Sequence, residues 1–157
     1  SQEVMVAAGR HRGTSVVELL QNCVIFNNGI HNHITDREYR ADRTIHLRHG
    51  EKMLFGKEMN RGLVRDGFYL KAVELGKDGY TIDDVLVHDA HTQSNFLHQQ
   101  LAMMDGQELP LAIGVIRDVD SPVYNEEIDT QIADVRAKKG FDTLRSMILA
   151  GEHWTVE

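Results

Sequence analysis

An apolar run, Val16, Val17, Leu19 and Leu20, leads through Gln21-Asn22 into the chain's single cysteine, Cys23, and then into Phe26-Asn27-Asn28-Gly29. The run has the length and composition of a short strand, expected over Ser15 to Gln21. The Asn-Asn-Gly that follows tolerates positive φ and marks a turn. A strand that delivers a thiol to its C-terminal end puts it in the crevice where open α/β sheets keep their ligands. On the residues alone, a lone cysteine more often serves as a small buried hydrophobe.

Composition narrows the classes. A 157-residue chain with 41% hydrophobic and 26% charged residues has the make-up of one soluble globular domain. A net charge of −7 argues against nucleic-acid binding, which needs a basic footprint. No apolar run is long enough to span a bilayer, and a signal peptide is not expected from the opening residues. A single cysteine excludes an intrachain disulfide framework and suits a reducing cytoplasm.

The segment GTSVVELLQNCVIFNNG resembles the strand-and-cysteine segment of the β subunit of 2-oxoacid:ferredoxin oxidoreductases, in which a basic-glycine turn precedes a strand, a cysteine, an apolar pair and Phe-Asn. The matching positions are His11-Arg12-Gly13, Val16 to Gln21, Cys23, Val24-Ile25 and Phe26-Asn27. Val24 stands where the family often has proline. Further matches keep the family's order: Arg48-His49-Gly50-Glu51, Phe55-Gly56, Val87-His88-Asp89-Ala90-His91, Ile113 to Val119 and Pro122-Val123-Tyr124.

The resemblance implies an α/β fold. Residues 1–43 would be the end of a thiamine diphosphate-binding domain, an open and mostly parallel sheet, and would include the cysteine loop. Residues 44–157 would be a C-terminal region of β hairpins, one buried strand and helices. The chemistry it implies is CoA-dependent oxidative decarboxylation of a 2-oxoacid, with 2-oxoglutarate favoured and pyruvate the other candidate. Electrons would pass through an iron–sulfur cluster to ferredoxin, and an α subunit would be the partner. Neither the family's thiamine- and magnesium-binding segment nor its other three cluster cysteines occur in these residues. The chain is therefore expected to be the C-terminal half of a longer subunit, inactive alone and binding none of these cofactors by itself. By carry-over, Cys23 is the fourth thiolate of a [4Fe–4S] cluster, and Asn22 and Asn27 beside it are placed to hydrogen-bond cluster sulfurs.

Elsewhere the pattern is read for structure. Gln2 to Ala8 reads as a helix stopping at Gly13, and Ile34 to Tyr39 as a turn or short helix. Thr44–Leu47 and Met53–Phe55 read as a hairpin, and Asp66-Gly67 and Asp78-Gly79 as tight turns. Asp83 to Val87 leads towards a strand. Val85 to His91 is a strand-to-helix corner before a helix from Asn95 to Met104 with Ser94 as its cap. Leu111 to Val119 reads as a buried strand. Two more helices follow, one from Asn125 with Ile128, Ile132 and Val135 on its apolar face and closing at Gly140, the other starting at Asp142. Trp154 is expected to dock on a neighbouring surface.

Other constellations favour structural readings. His31 and His33, or His88, Asp89 and His91, are too few to converge on zinc. Asp118 and Asp120 suit turn formation better than acid–base work. Arg48, Lys52, Lys57 and Arg61 read as a solvated face. Two other functions stay open: a non-catalytic subunit-interaction module with Cys23 a buried structural thiol, and a cysteine enzyme using His11, His31 or His33 as base.

Overall fold

The computed structural model describes residues 2–139, 143–152, 154 and 156. The chain divides into two compact units, Ser1–His11 with Ser15–Asp120, and Arg12–Thr14 with Ser121–Glu157. The class is mixed α/β, with one parallel and one antiparallel sheet.

The larger unit opens with helix α1, Gln2–Arg10, close to its expected extent, with Arg10 in its last turn. No strand follows it. The run from Ser15 to Gln21 has no sheet partner among the described residues, and Val16 is 91% exposed. A strand needs a neighbour to satisfy its backbone groups, and among the described residues this run finds none. Two single-turn helices, α2 (Asn32–Thr35) and α3 (Arg40–Arg43), flank the place expected to hold one turn or short helix.

The core forms between two sheets. Strand β1, Thr44–Leu47, buries Ile45 and Leu47 and turns His46 outward, the alternation a half-buried strand requires. Its partner is not Met53–Phe55, as the local pattern suggested, but the distant β5, Leu111–Gly114, to which it runs parallel. The second sheet is antiparallel, in the order β2 (Leu54–Phe55), β3 (Arg61–Asp66) and β4 (Tyr69–Glu74). The β3–β4 pairing ends at Asp66 and Tyr69, so the two-residue loop is Gly67-Phe68, one position later than expected. Gly67 has φ of 61°, the first central position of a type II′ turn. Asp78 and Gly79 both take positive φ, as a type I′ turn demands, and Tyr80 N–H donates to the Lys77 carbonyl.

After a 3-10 turn at Ile82–Asp84, the expected strand is reduced to one bridge between Val87 and Lys52. Helix α4, Phe96–Ala102, follows with Leu101 fully buried. Asn95 occupies its N-cap position, so Ser94 lies one residue too early to cap it. Gln100 ties this helix to the hairpin by accepting from Leu70 N–H and donating to the Phe68 carbonyl, both at 3.0 Å. Ile45, Leu47, Met53, Phe55, Leu63, Leu101 and Met104 form one buried cluster.

Strand β5 is shorter and less buried than Leu111–Val119 suggested, half-buried throughout and ending at Gly114. That glycine faces Leu47 across the parallel pair with φ of 118°, and a Cβ there would lie 2.6 Å from the Leu47 carbonyl oxygen. Beyond it, histidines knit the Val85–His91 corner to β5 and α4. Buried His88 donates from Nε2 to the Val115 carbonyl at 2.9 Å, which leaves its buried Nδ1 without a partner among the described residues. Buried His98 donates from Nε2 to the Asp89 carbonyl and accepts the Arg117 guanidinium on Nδ1. His91 Nδ1 donates to the Asp118 carbonyl, and its ring lies 4.3 Å from that of His49. Among the described residues no group of three or more His, Cys, Asp or Glu side chains is arranged to hold a metal ion.

In the second unit Arg12 grips both carboxylate oxygens of Glu126 at 2.8 Å. This unit holds helix α5, Tyr124–Lys139, and helix α6, Leu144–Leu149, capped by Thr143. Ile132, Val135 and Trp154 are exposed, against expectation. Gly140 and Asp142, read as a helix stop and a helix start, lie outside the described residues. No helix among the described residues is long and apolar enough to cross a membrane.

Two outcomes follow from this packing. Gly114→Ala meets backbone rather than a yielding side chain, at a φ that L residues avoid, and should cost about 2 kcal/mol or more in urea unfolding. A change below 0.5 kcal/mol (about the scatter of surface substitutions) would contradict the close approach. His88 is held below its ordinary pKa, first by burial and then by His98 and His49, against the opposing Val115 carbonyl and Asp89. Its folded value lies under the unfolded value of about 6.5, so its stability contribution is complete above that pH and is lost as pH falls below it. The urea midpoint should drop between about pH 7.5 and about pH 5.5. It should drop less in His88→Gln, which retains a donor for Val115; equal slopes in the two proteins would place the titration elsewhere.

Candidate functional site

The chemistry-bearing feature of the larger unit is the loop from Asn22 to Gly29. Cys23 and Asn27 close a five-residue turn, with Asn27 N–H donating to the Cys23 carbonyl at 2.9 Å. The backbone N–H groups of Phe26, Ile25 and Asn27 in this turn hold the Cys23 thiol below its ordinary pKa. The effect is local and solvent-facing, because Cys23 is exposed. The alternative in which Cys23 is a buried structural thiol therefore does not describe this loop.

Asn22 braces the loop from outside. Its side chain donates from Nδ2 to Asn28 Oδ1 at 3.0 Å and accepts Gly29 N–H on Oδ1 at 2.8 Å. One amide thus spans the turn and joins its two ends. The apolar tip, Val24, Ile25 and Phe26, stands in solvent, with Phe26 90% exposed. Nothing about hydrophobic periodicity announces a backbone cradle of this sort. The available signal was the spacing of Asn22, Asn27 and Asn28 around one cysteine, residues that hydrogen-bond backbone locally.

The other candidate residues are committed elsewhere. His11 Nδ1 pairs with Asp118 Oδ1 at 2.8 Å, which gives that aspartate a partner rather than a turn-forming role. His33 is held by the Ile30 and Asp105 carbonyls. Lys52 donates to the Ile82 carbonyl at 2.6 Å, and Arg61 lies 5.0 Å above the Phe55 ring, so both support the local fold. Arg48 pairs with Glu51 at 3.9 Å on the surface.

An exposed thiol with a lowered pKa suits two kinds of chemistry: nucleophilic attack, and thiolate ligation of a soft metal or iron–sulfur centre. Nucleophilic catalysis also calls for a base, and the bonds just described turn His11 and His33 to other partners. Ligation calls for a sulfur that gives up its proton readily, and the lowered pKa of Cys23 favours that. With one cysteine in 157 residues, the chain's own donor set fits one corner of a four-iron cluster.

Comparison with known proteins gives the family. The chain is 32% identical over 158 residues to the 2-oxoglutarate oxidoreductase subunit KorB of Mycobacterium tuberculosis (strain ATCC 25618 / H37Rv). The match covers 99% of this chain and 42% of KorB. This chain is KorB-like. The family resemblance read from the motifs is thereby borne out, as a match to part of a longer protein of the C-terminal kind expected. The mixed α/β architecture agrees with that relationship. No protein-family model and no solved structure matches.

The loop geometry has a direct consequence for reactivity. Alkylation of Cys23 by iodoacetamide should show a pH midpoint below that of the urea-unfolded chain, whose thiol titrates near the ordinary value of about 8.5. Identical midpoints would mean that the N–H groups do not act on the sulfur in solution.

Proposed function

We propose that this chain is the C-terminal portion of the β subunit of a 2-oxoacid:ferredoxin oxidoreductase, with Cys23 as one thiolate ligand of a [4Fe–4S] cluster. The observation that carries the reading is the KorB similarity running through 99% of the chain. Support at the site comes from an exposed sulfur among backbone donors.

When bound, thiamine diphosphate with Mg2+ supplies the electron sink for decarboxylation, and an iron–sulfur cluster carries the electrons onward. The residues of this chain have a narrower task. At Cys23 the backbone N–H groups of Phe26, Ile25 and Asn27, rather than a neighbouring cation, favour loss of the thiol proton. Those same donors set the charge at the ligand atom and hence the potential of what it holds. Asn22 acts as a positioning residue that keeps the turn closed, and Asn27 contributes through its backbone. Residues 1–43 complete the thiamine-binding domain, and residues 44–157 form the C-terminal region of the β subunit.

The reaction assigned to the whole enzyme is CoA-dependent oxidative decarboxylation, with 2-oxoglutarate as the favoured 2-oxoacid and pyruvate as the alternative. Ferredoxin receives the electrons, and the complex is completed in the cytoplasm by an α subunit. The 157-residue chain by itself is inactive, since its residues match none of the family's thiamine-binding segment. The exposed side chains of Val24, Ile25 and Phe26 also favour a contact role, since apolar tips of this kind are normally covered by a partner.

The test is anaerobic assembly of the full-length β subunit, wild type and Cys23→Ser, followed by electron paramagnetic resonance. The reading expects a stable four-iron signal in the wild type that is lost or strongly weakened in Cys23→Ser. The same signal in both proteins would remove Cys23 from the ligand set.

A further inference from the structure

Among the asparagines of this chain, Asn28 is followed by glycine. That dipeptide is the most reactive context for intramolecular attack on a side-chain amide, because glycine puts no side chain in the path of its own nitrogen. The reaction balances without any protein-bound reagent. Gly29 N attacks Asn28 Cγ, the N–Cγ bond forms and the Cγ–Nδ2 bond breaks. Ammonia leaves with the proton from Gly29 N, and solvent water then opens the succinimide to aspartate or isoaspartate.

Both reacting groups are held by one side chain. Asn22 Oδ1 accepts the Gly29 N–H at 2.8 Å, while Asn22 Nδ2 donates to Asn28 Oδ1 at 3.0 Å. For cyclisation the Gly29 nitrogen must give up that proton, and the Asn28 amide must swing onto it. Neither movement is compatible with the two bonds, so the clamp has to open first. The loop is exposed, and packing adds little to this restraint.

We propose that Asn28-Gly29 is a deamidation site built into the cysteine loop, and that Asn22 is the residue that keeps it intact in the folded protein. The consequence reaches Cys23. Aspartate at position 28 adds a negative charge to the loop that holds the thiolate. Isoaspartate lengthens the backbone by one carbon, so that Gly29 N–H no longer meets Asn22 and the turn loses its brace. The loop would then age chemically at a rate set by one hydrogen-bonded amide. This inference rests on the Asn22, Asn28 and Gly29 contacts and holds whether or not Cys23 binds iron.

The experiment incubates the full 157-residue chain at mildly alkaline pH and follows the Asn28 peptide by mass spectrometry. Asn22→Ala is run beside the wild type, and wild type in urea serves as the unrestrained reference. Removal of two hydrogen bonds of ordinary net strength should speed deamidation at Asn28 about tenfold in Asn22→Ala. The urea-unfolded wild type should likewise outpace the folded one. An Asn22→Ala rate equal to or below that of the wild type would overturn the proposal. So would a folded wild type that deamidates as fast as the unfolded chain.

Discussion

Leu47 and Gly114 meet across the parallel pair β1–β5 at a separation only glycine allows, and the core of the larger unit is assembled around that contact. Everything from Arg48 to Pro110 folds between the two strands, including the antiparallel sheet and α4. Ile45 and Leu47 from β1 enter the same cluster as Phe55, Leu63 and Leu101. Parallel strands cannot be joined by a tight turn, so a long excursion is required, and here that excursion supplies the core. The Val85–His91 corner is then fixed to both sides by the hydrogen bonds of the His88 and His98 rings to the Val115 and Asp89 carbonyls.

The cysteine loop is held by a different kind of force. It buries no apolar side chain, and its shape comes from a five-residue turn and from one asparagine that satisfies both ends. Such a loop is stabilised by individual hydrogen bonds of modest net strength, so single substitutions act on it strongly and locally. The backbone N–H groups of the same turn hold the Cys23 thiol below its ordinary pKa, so the turn's conformation and the acidity of Cys23 are linked. The apolar tip of the loop stands in solvent together with Val16, Leu19 and Leu20.

Local chemistry was legible where it is decided locally. Asp78-Gly79 is a turn because both residues accept positive φ, and Arg61–Asp66 pairs with Tyr69–Glu74 because a glycine starts the loop between them. The β1–β5 pairing was not legible. Thr44–Leu47 alternates equally well against a near or a distant neighbour, and Met53–Phe55 is the nearer one. Ser15–Gln21 fails as a strand for a related reason: propensity is present, but no sheet partner is among the described residues. At the site, motif order is what singles out Cys23, whereas its lowered pKa depends on how the turn closes, which composition does not encode.

The central proposal is that Cys23 is an iron ligand in this loop. The most direct measurement is the iron anomalous difference density in anaerobically grown crystals of the full-length β subunit with its α partner. The account predicts iron density bonded to the Cys23 sulfur, with the Phe26 and Ile25 N–H groups facing that atom. Iron density elsewhere in the complex, with the Cys23 sulfur bare, would contradict it.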